Sequence, residues 1–159
     1  MVVMPMGRWT TGQAKIEAML VAGALEQVAP SIENAERLLA EAERHLRSAE
    51  ALADSDPSGG YDMLYAAARK SMAAALAVQG LRATSQGGHV AVQDAVAAQL
   101  GRSGAVVRPV GRLRRTRNDA DYPRLDTPEL SGQDIAEDLP KARNIVTAMG
   151  QLFPHLQPW

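Results

Sequence analysis

The sequence predicts an all-α fold, an up-down bundle of five or six helices, on three observations. Alanine supplies 28 of the 159 residues while aromatic residues make up 4%, a balance that favours helices in close contact over sheets built from β-branched and aromatic side chains. Apolar residues recur at spacings of three and four, as in Ile32, Ala35, Leu38, Leu39, Ala42, Leu46, Ala49 and Leu52, which is the period of an amphipathic helix. Clusters of Gly, Pro, Ser and Asp separate these periodic stretches and mark turns. A chain of this length builds one core. We therefore expect a single bundle over 10–153, a flexible N-terminal segment over 1–9 and a C-terminal tail over 154–159.

The first helix is expected from a capping box, Thr10 as N-cap and Gln13 as the third helical residue, and to run to about Ala29. Pro30 stops it, and Ser31 can cap the second by accepting from orphan amides. The run 54–60, Asp-Ser-Asp-Pro-Ser-Gly-Gly, reads as a loop. Tyr61 to Gln79 forms a central third helix closed by Gly80, with alanines spreading apolar surface round the cylinder. After a loop over 82–88, a shorter fourth helix spans 89–100 and is capped by Gly101. The fifth covers about 107–122, with Pro109 in its first turn and Pro123 closing it. The last covers about 132–152, where Pro140 marks either a kink or a break.

Several chemistries are excluded at once. The chain has no cysteine, so disulfides, thiolate zinc sites, cysteine nucleophiles and iron–sulfur clusters are ruled out. His45, His89 and His155 are dispersed with no i,i+4 pairing, so no metal is expected. The absence of a phosphate loop, a dinucleotide fingerprint or a nucleophile elbow leaves no cofactor to expect. No leader pattern opens the chain and no window reaches the length of a bilayer span, which predicts a cytoplasmic protein with no membrane partner. Trp9 and Trp159 are read as anchors of the two ends.

The formal net charge is −1, so an anionic partner would have to meet a local patch. One exists: between Arg102 and Arg124 seven arginines face two aspartates, whereas 126–138 carries five acids and no base. Arginine's planar fork suits bidentate phosphate contact, which makes Arg112, Arg114, Arg115 and Arg124 candidate nucleic-acid-binding residues. A salt-bridged surface is the competing reading. Val106, Val110, Leu113, Arg117 and Ala120 follow one helical stripe, so Arg117 falls among apolar positions and needs a partner. Asp121, one turn on, can serve, as can a group from a second copy across a seam.

Leu113-Arg-Arg-Thr-Arg-Asn-Asp-Ala-Asp-Tyr-Pro123, the Ala-rich run from Tyr65 and the Gly88-His89 turn together resemble the HEPN family of small helical bundles, over about 31–149. Many members are RNA-cleaving toxins or defence effectors whose motif helix carries Arg-x(4 to 6)-His, often with Asn after the Arg, paired across a homodimer. The implied chemistry is metal-independent, with histidine moving the proton of a ribose 2′-hydroxyl and arginine stabilising the phosphorus-centred transition state. On this chain the resemblance assigns the catalytic positions to Arg117, Asn118 and Tyr122. In an alternative register Arg115 and Tyr122 align, and Ala120 stands where histidine should be. No histidine lies on the fifth helix, and a phenol of unperturbed pKa ~10 is a poor base near neutrality. Arg82 and His89 match the spacing literally but run through a Gly-rich loop.

The resemblance thus implies a homodimer that binds RNA or another phosphate-bearing partner, with ribonuclease activity lost or weakened, in a toxin–antitoxin or defence setting. Two alternatives stand beside it. One is a module that binds a cognate protein partner, such as a nucleotidyltransferase or a toxin. The other is an active metal-independent endoribonuclease using Arg117 and Tyr122.

Overall fold

The computed structural model describes residues 9–159 and contains six α-helices and one two-stranded sheet. The segment expected to be flexible lies, apart from Trp9, outside the described residues. Helix α1 (Gln13–Val21) is followed by strand β1 (Leu25–Gln27) and helix α2 (Ile32–Leu52). Helix α3 (Pro57–Gln79) leads directly into strand β2 (Leu81–Ala83), and helix α4 (Gly88–Leu100) into a 3₁₀ segment, Gly101–Val107. Helices α5 (Val110–Asp121) and α6 (Gly132–Leu152) complete the bundle before a short 3₁₀ turn, Phe153–His155.

Local chemistry accounts for most boundaries. The Ser31 hydroxyl accepts from the Asn34 amide at 3.1 Å and starts α2. Gly80, at φ 73°, closes α3 in the left-handed conformation that suits glycine. Ser131 and Asp134 form a reciprocal capping box at the start of α6. Helix α3 is the hub: Tyr61, Leu64, Ala68 and Ala75 are all buried, and α3 packs against α2, α4, α5 and α6. Its small side chains let those neighbours approach closely.

Five expectations are corrected. Helix α1 ends at Val21, and the residues expected to prolong it turn at Gly23 (φ 77°) to form β1. Its N-cap is Gly12 in the left-handed conformation rather than Thr10, whose carbonyl accepts from the Gln13 amide at 3.1 Å. Helix α3 starts within the expected loop, because Asp56 caps it through Gly59 N–H at 3.0 Å and Pro57 occupies the first helical position. The expected loop at 82–88 contains part of β2, which pairs antiparallel with β1 in the register Leu25↔Ala83, Glu26↔Arg82, Gln27↔Leu81. Pro109 precedes α5, which starts at Val110, since the chain before it is a 3₁₀ segment rather than an α-helical first turn.

Pro140 lies inside α6 on an exposed face and does not divide the helix. The tail is packed: Leu156 is buried and the Trp159 amide donates to the Gln79 carbonyl at 2.8 Å. Trp9 Nε1 donates to the Gln99 carbonyl at 2.9 Å. Gln79 and Gln99 are buried and exchange amide hydrogen bonds at 2.6 and 2.9 Å, so both described ends of the chain meet at one polar pair.

Candidate functional site

The arginines of α5 divide into committed and uncommitted groups. Arg112 pairs with the buried Asp138 of α6, which also accepts from the Tyr61 hydroxyl at 2.8 Å and from Lys141 Nζ at 3.1 Å. Burial opposes ionisation of Asp138, but the hydrogen bonds from Arg112, Tyr61 and Lys141 hold its carboxyl below the ordinary range. Burial and the bond to Asp138 push the Tyr61 phenol well up. Arg112 is therefore a strut joining α5 to α6 and α3. Arg114, half-buried, and Arg115, exposed, form no ion pair or hydrogen bond among the described residues. Arg124 is exposed in the loop after α5, where its backbone amide donates to the Thr127 hydroxyl at 2.9 Å.

Arg117 finds its partners within its own chain. Its Nε lies 3.1 Å from Asp121 Oδ2 and 3.3 Å from Asp62 Oδ1, and Nη1 donates to Asn118 Oδ1 at 3.2 Å. Of the two possibilities left open by the sequence, the intrahelical Asp121 is realised, and Asp62 of α3 joins it. Burial and the adjacent Asp121 charge raise the Asp62 pKa, against the pull of Arg117. Tyr122, at the end of α5, is 81% exposed. The tyrosine that faces Arg117 is Tyr65 of α3, whose ring centroid lies 5.8 Å from the guanidinium carbon.

Tyr65 in turn leads to an imidazole. Its hydroxyl oxygen lies 3.0 Å from His89 Nδ1, and the two rings are tilted at 46° with centroids 5.9 Å apart. A phenol can donate to a bare Nδ1 or accept from a protonated one, so this hydrogen bond survives either charge state of His89 and leaves Nε2 free. His89 stands at the first turn of α4, a position fixed by the preceding turn. The Thr84 hydroxyl donates to the Gly23 carbonyl at 2.5 Å and accepts from the Gly87 amide at 3.2 Å. A side chain at Gly87 would collide with the Ala24 carbonyl, so this glycine permits the close approach of α4 to the sheet.

Three arginines act electrostatically on this pair. Partial burial lowers the His89 pKa from its ordinary 6.5, and Arg69, Arg117 and Arg114 lower it further. Burial likewise raises the Tyr65 phenol, while the same three arginines oppose that rise. Arg69, half-buried on α3, has no acidic partner among the described residues. Arg82 is taken up by Glu26 across the two strands, at 2.6 Å. The result is an imidazole held below its ordinary pKa and a phenol held above its own, both acted on by Arg69 and Arg114, which pair with no carboxylate among the described residues.

Beside the cluster, α2, α3, β2 and the start of α4 enclose a cleft of about 620 Å³ whose lining includes both Arg69 and His89. Tyr65, Arg69 and His89 were not singled out as a unit by the sequence. The i,i+4 spacing of Tyr65 and Arg69 on an Ala-rich helix was the available signal. His45 is engaged elsewhere, 3.0 Å from Lys70 Nζ, itself paired with Glu41 at 2.7 Å. Among the described residues no group of three or more His, Asp or Glu side chains gathers as a metal site, and no helix is long and apolar enough to cross a membrane. No protein-family model matches this chain, and comparison with curated proteins and with solved structures gives no match.

Proposed function

We propose that this protein binds RNA through its phosphates, using Arg114 and Arg115 of α5 together with Arg69 of α3, as a HEPN-like homodimer of a toxin–antitoxin or defence system. The observation that carries the reading is that two half-buried arginines, Arg69, which lines a cleft with His89, and Arg114 on α5, have no acidic partner among the described residues. Two arginines that act on the same imidazole and pair with no carboxylate among the described residues gain more from an arriving anion than arginines already paired. A phosphate accepting from two guanidinium groups supplies that anion. Arg117, already held by Asp62 and Asp121, orients the α5 face against Tyr65. Ribonuclease activity is lost or weakened in this reading, because α5 itself carries no histidine.

The test is binding of a labelled single-stranded RNA followed by anisotropy at two salt concentrations. Affinity is expected to fall steeply with salt, and Arg114→Ala to weaken it about tenfold, the loss of one charge-assisted phosphate contact. Salt-independent or absent binding overturns the reading. A second reading, capture of a cognate protein, is supported by Tyr122 (81% exposed) and the fully exposed Leu125 beside the arginine helix, an apolar pair rimmed by charge. Leu125→Asp would abolish such capture and leave RNA affinity unchanged.

A further inference from the structure

The cleft enclosed by α2, α3, β2 and the start of α4 has aliphatic walls and one uncompensated charge. Leu38 of α2, Ala73 and Leu76 of α3, Leu81 of β2 and Val92 of α4 form the walls, and no Phe, Tyr, Trp, Asp or Glu is among the lining residues. Several of the polar groups that line it are already engaged in holding the fold. The Ser31 hydroxyl accepts from the Asn34 backbone amide, the Thr84 hydroxyl donates to the Gly23 carbonyl, and Arg82 pairs with Glu26. Asn34 and Ser85 are exposed, which leaves Arg69 and His89. Arg69 pairs with no carboxylate among the described residues and acts on His89 across the cleft wall. Here α4 begins without a side-chain cap, and a Cβ at Gly88 would meet nothing within 4 Å, so the backbone of this helix start, which favours an anion, is open to one.

We infer that this cleft binds a straight-chain aliphatic acid, a fatty acid of medium length, with its alkyl chain against the aliphatic walls and its carboxylate on Arg69. The inference goes beyond the phosphate-binding reading and shares only Arg69 with it, since no residue of α5 lines the cleft. Arginine's planar fork meets a carboxylate in two parallel hydrogen bonds, and one guanidinium neutralises one acid. With Tyr65 donating to His89 Nδ1, the ring proton sits on Nε2 and supplies a further donor. Walls without an aromatic ring offer nothing for a flat ligand to stack on and suit a flexible alkyl chain, whereas a sugar would leave its hydroxyls unsatisfied against them. The volume, about 620 Å³, falls within the range of pockets that bury a small ligand.

The experiment is calorimetric titration of the full chain with octanoate, decanoate and decanol, each below the concentration at which it aggregates, together with Arg69→Gln. Decanoate is expected to bind about fifteenfold tighter than octanoate, about fourfold for each methylene buried, and at least tenfold tighter than decanol, which has the chain without the charge. Arg69→Gln should bring decanoate down to the affinity of decanol. In the unaltered protein decanoate should shift the backbone amide resonances of Ala73, Ala77 and His89. Equal binding of octanoate and decanoate overturns the alkyl site, and equal binding of decanoate and decanol overturns the carboxylate contact. Both comparisons use the unaltered protein and decide the matter even where Arg69→Gln fails to fold. Shifts confined to the exposed Val21 and Val90 mean adsorption to apolar surface and overturn the cleft. Tighter binding of adenosine 5′-monophosphate than of decanoate overturns the aliphatic assignment. RNA binding, present or absent, decides the phosphate reading alone.

Discussion

At the scale of single residues, His89 is the most informative probe, since its charge reports every group packed against it. Burial is the largest influence holding its pKa below 6.5, followed by Arg69, Arg117 and Arg114. Arg114→Ala should therefore move the titration midpoint upward yet leave it below 6.5, because the desolvation remains. Bound phosphate should move it the same way by offsetting the cations. Proton-detected titration of the imidazole measures both, and a downward shift in either case contradicts the arrangement. The sign for stability follows. Between the folded and unfolded pKa values the unfolded chain binds more protons, so this residue's contribution grows as pH rises through that window and is lost as pH falls through it. Arg117 offers a complementary test. Two carboxylates, Asp121 and Asp62, hold its Nε, so Asp62→Asn removes a charge that competes with phosphate and should tighten RNA binding several-fold in the anisotropy assay.

At the scale of elements, the tie between α3, α5 and α6 is concentrated in one carboxylate. Asp138 is 4% exposed and receives Tyr61, Arg112 and Lys141. Asp138→Ala strands the Tyr61 hydroxyl away from water, while the half-exposed Arg112 regains solvent, so we expect a loss of about 2 kcal/mol in chemical denaturation. The Asp138 pKa is depressed in the folded state, so its contribution is complete above the ordinary carboxylate range and disappears as pH falls through the lowered value. The elements also differ in how openly the sequence announced them. Helices α2 and α6 were legible because their apolar residues repeat over several turns, and α4 through the glycine that closes it. The strands β1 and β2, of three residues each, are too short to display a period of two. Asp56-Pro57 signals a turn and a helix start equally well, and only the tertiary fold decides between them. Pro140 sits on the exposed face of α6, where helix packing elsewhere along its length overrides the missing hydrogen bond. The candidate site was legible in part for a related reason. Sequence periodicity placed the arginines on α5, but His89, Tyr65 and Arg69 reach them through contacts between α3, α4 and α5 that no local spacing encodes.

At the scale of the whole molecule, the near-neutral net charge of −1 conceals a division into arginines that are internally compensated and arginines that are not, and this division sets how the protein responds to salt. Arg112, Arg117 and Arg82 each face a carboxylate, so an arriving phosphate gains little from them and releases few counterions on their account. Arg69, Arg114 and Arg115 have no such partner among the described residues. For a single-stranded nucleic acid each phosphate neutralised contributes about −0.7 to the slope of log K against log salt. The three contacts of the proposed site give a slope of about −2, and Arg108 and Arg124, which also form no ion pair among the described residues, would each add about −0.7 where the strand reached them. Arg114→Ala should flatten it by about 0.7, and Asp62→Asn, which leaves Arg117 paired with Asp121, should steepen it by less than that amount. Arg112→Ala should leave the slope unchanged while lowering the melting temperature, since that side chain binds Asp138 rather than solvent ions. A slope that responds equally to every arginine removed would mean that the patch acts as a diffuse field, and that the structural pairing of its members has no bearing on how the molecule meets an anion.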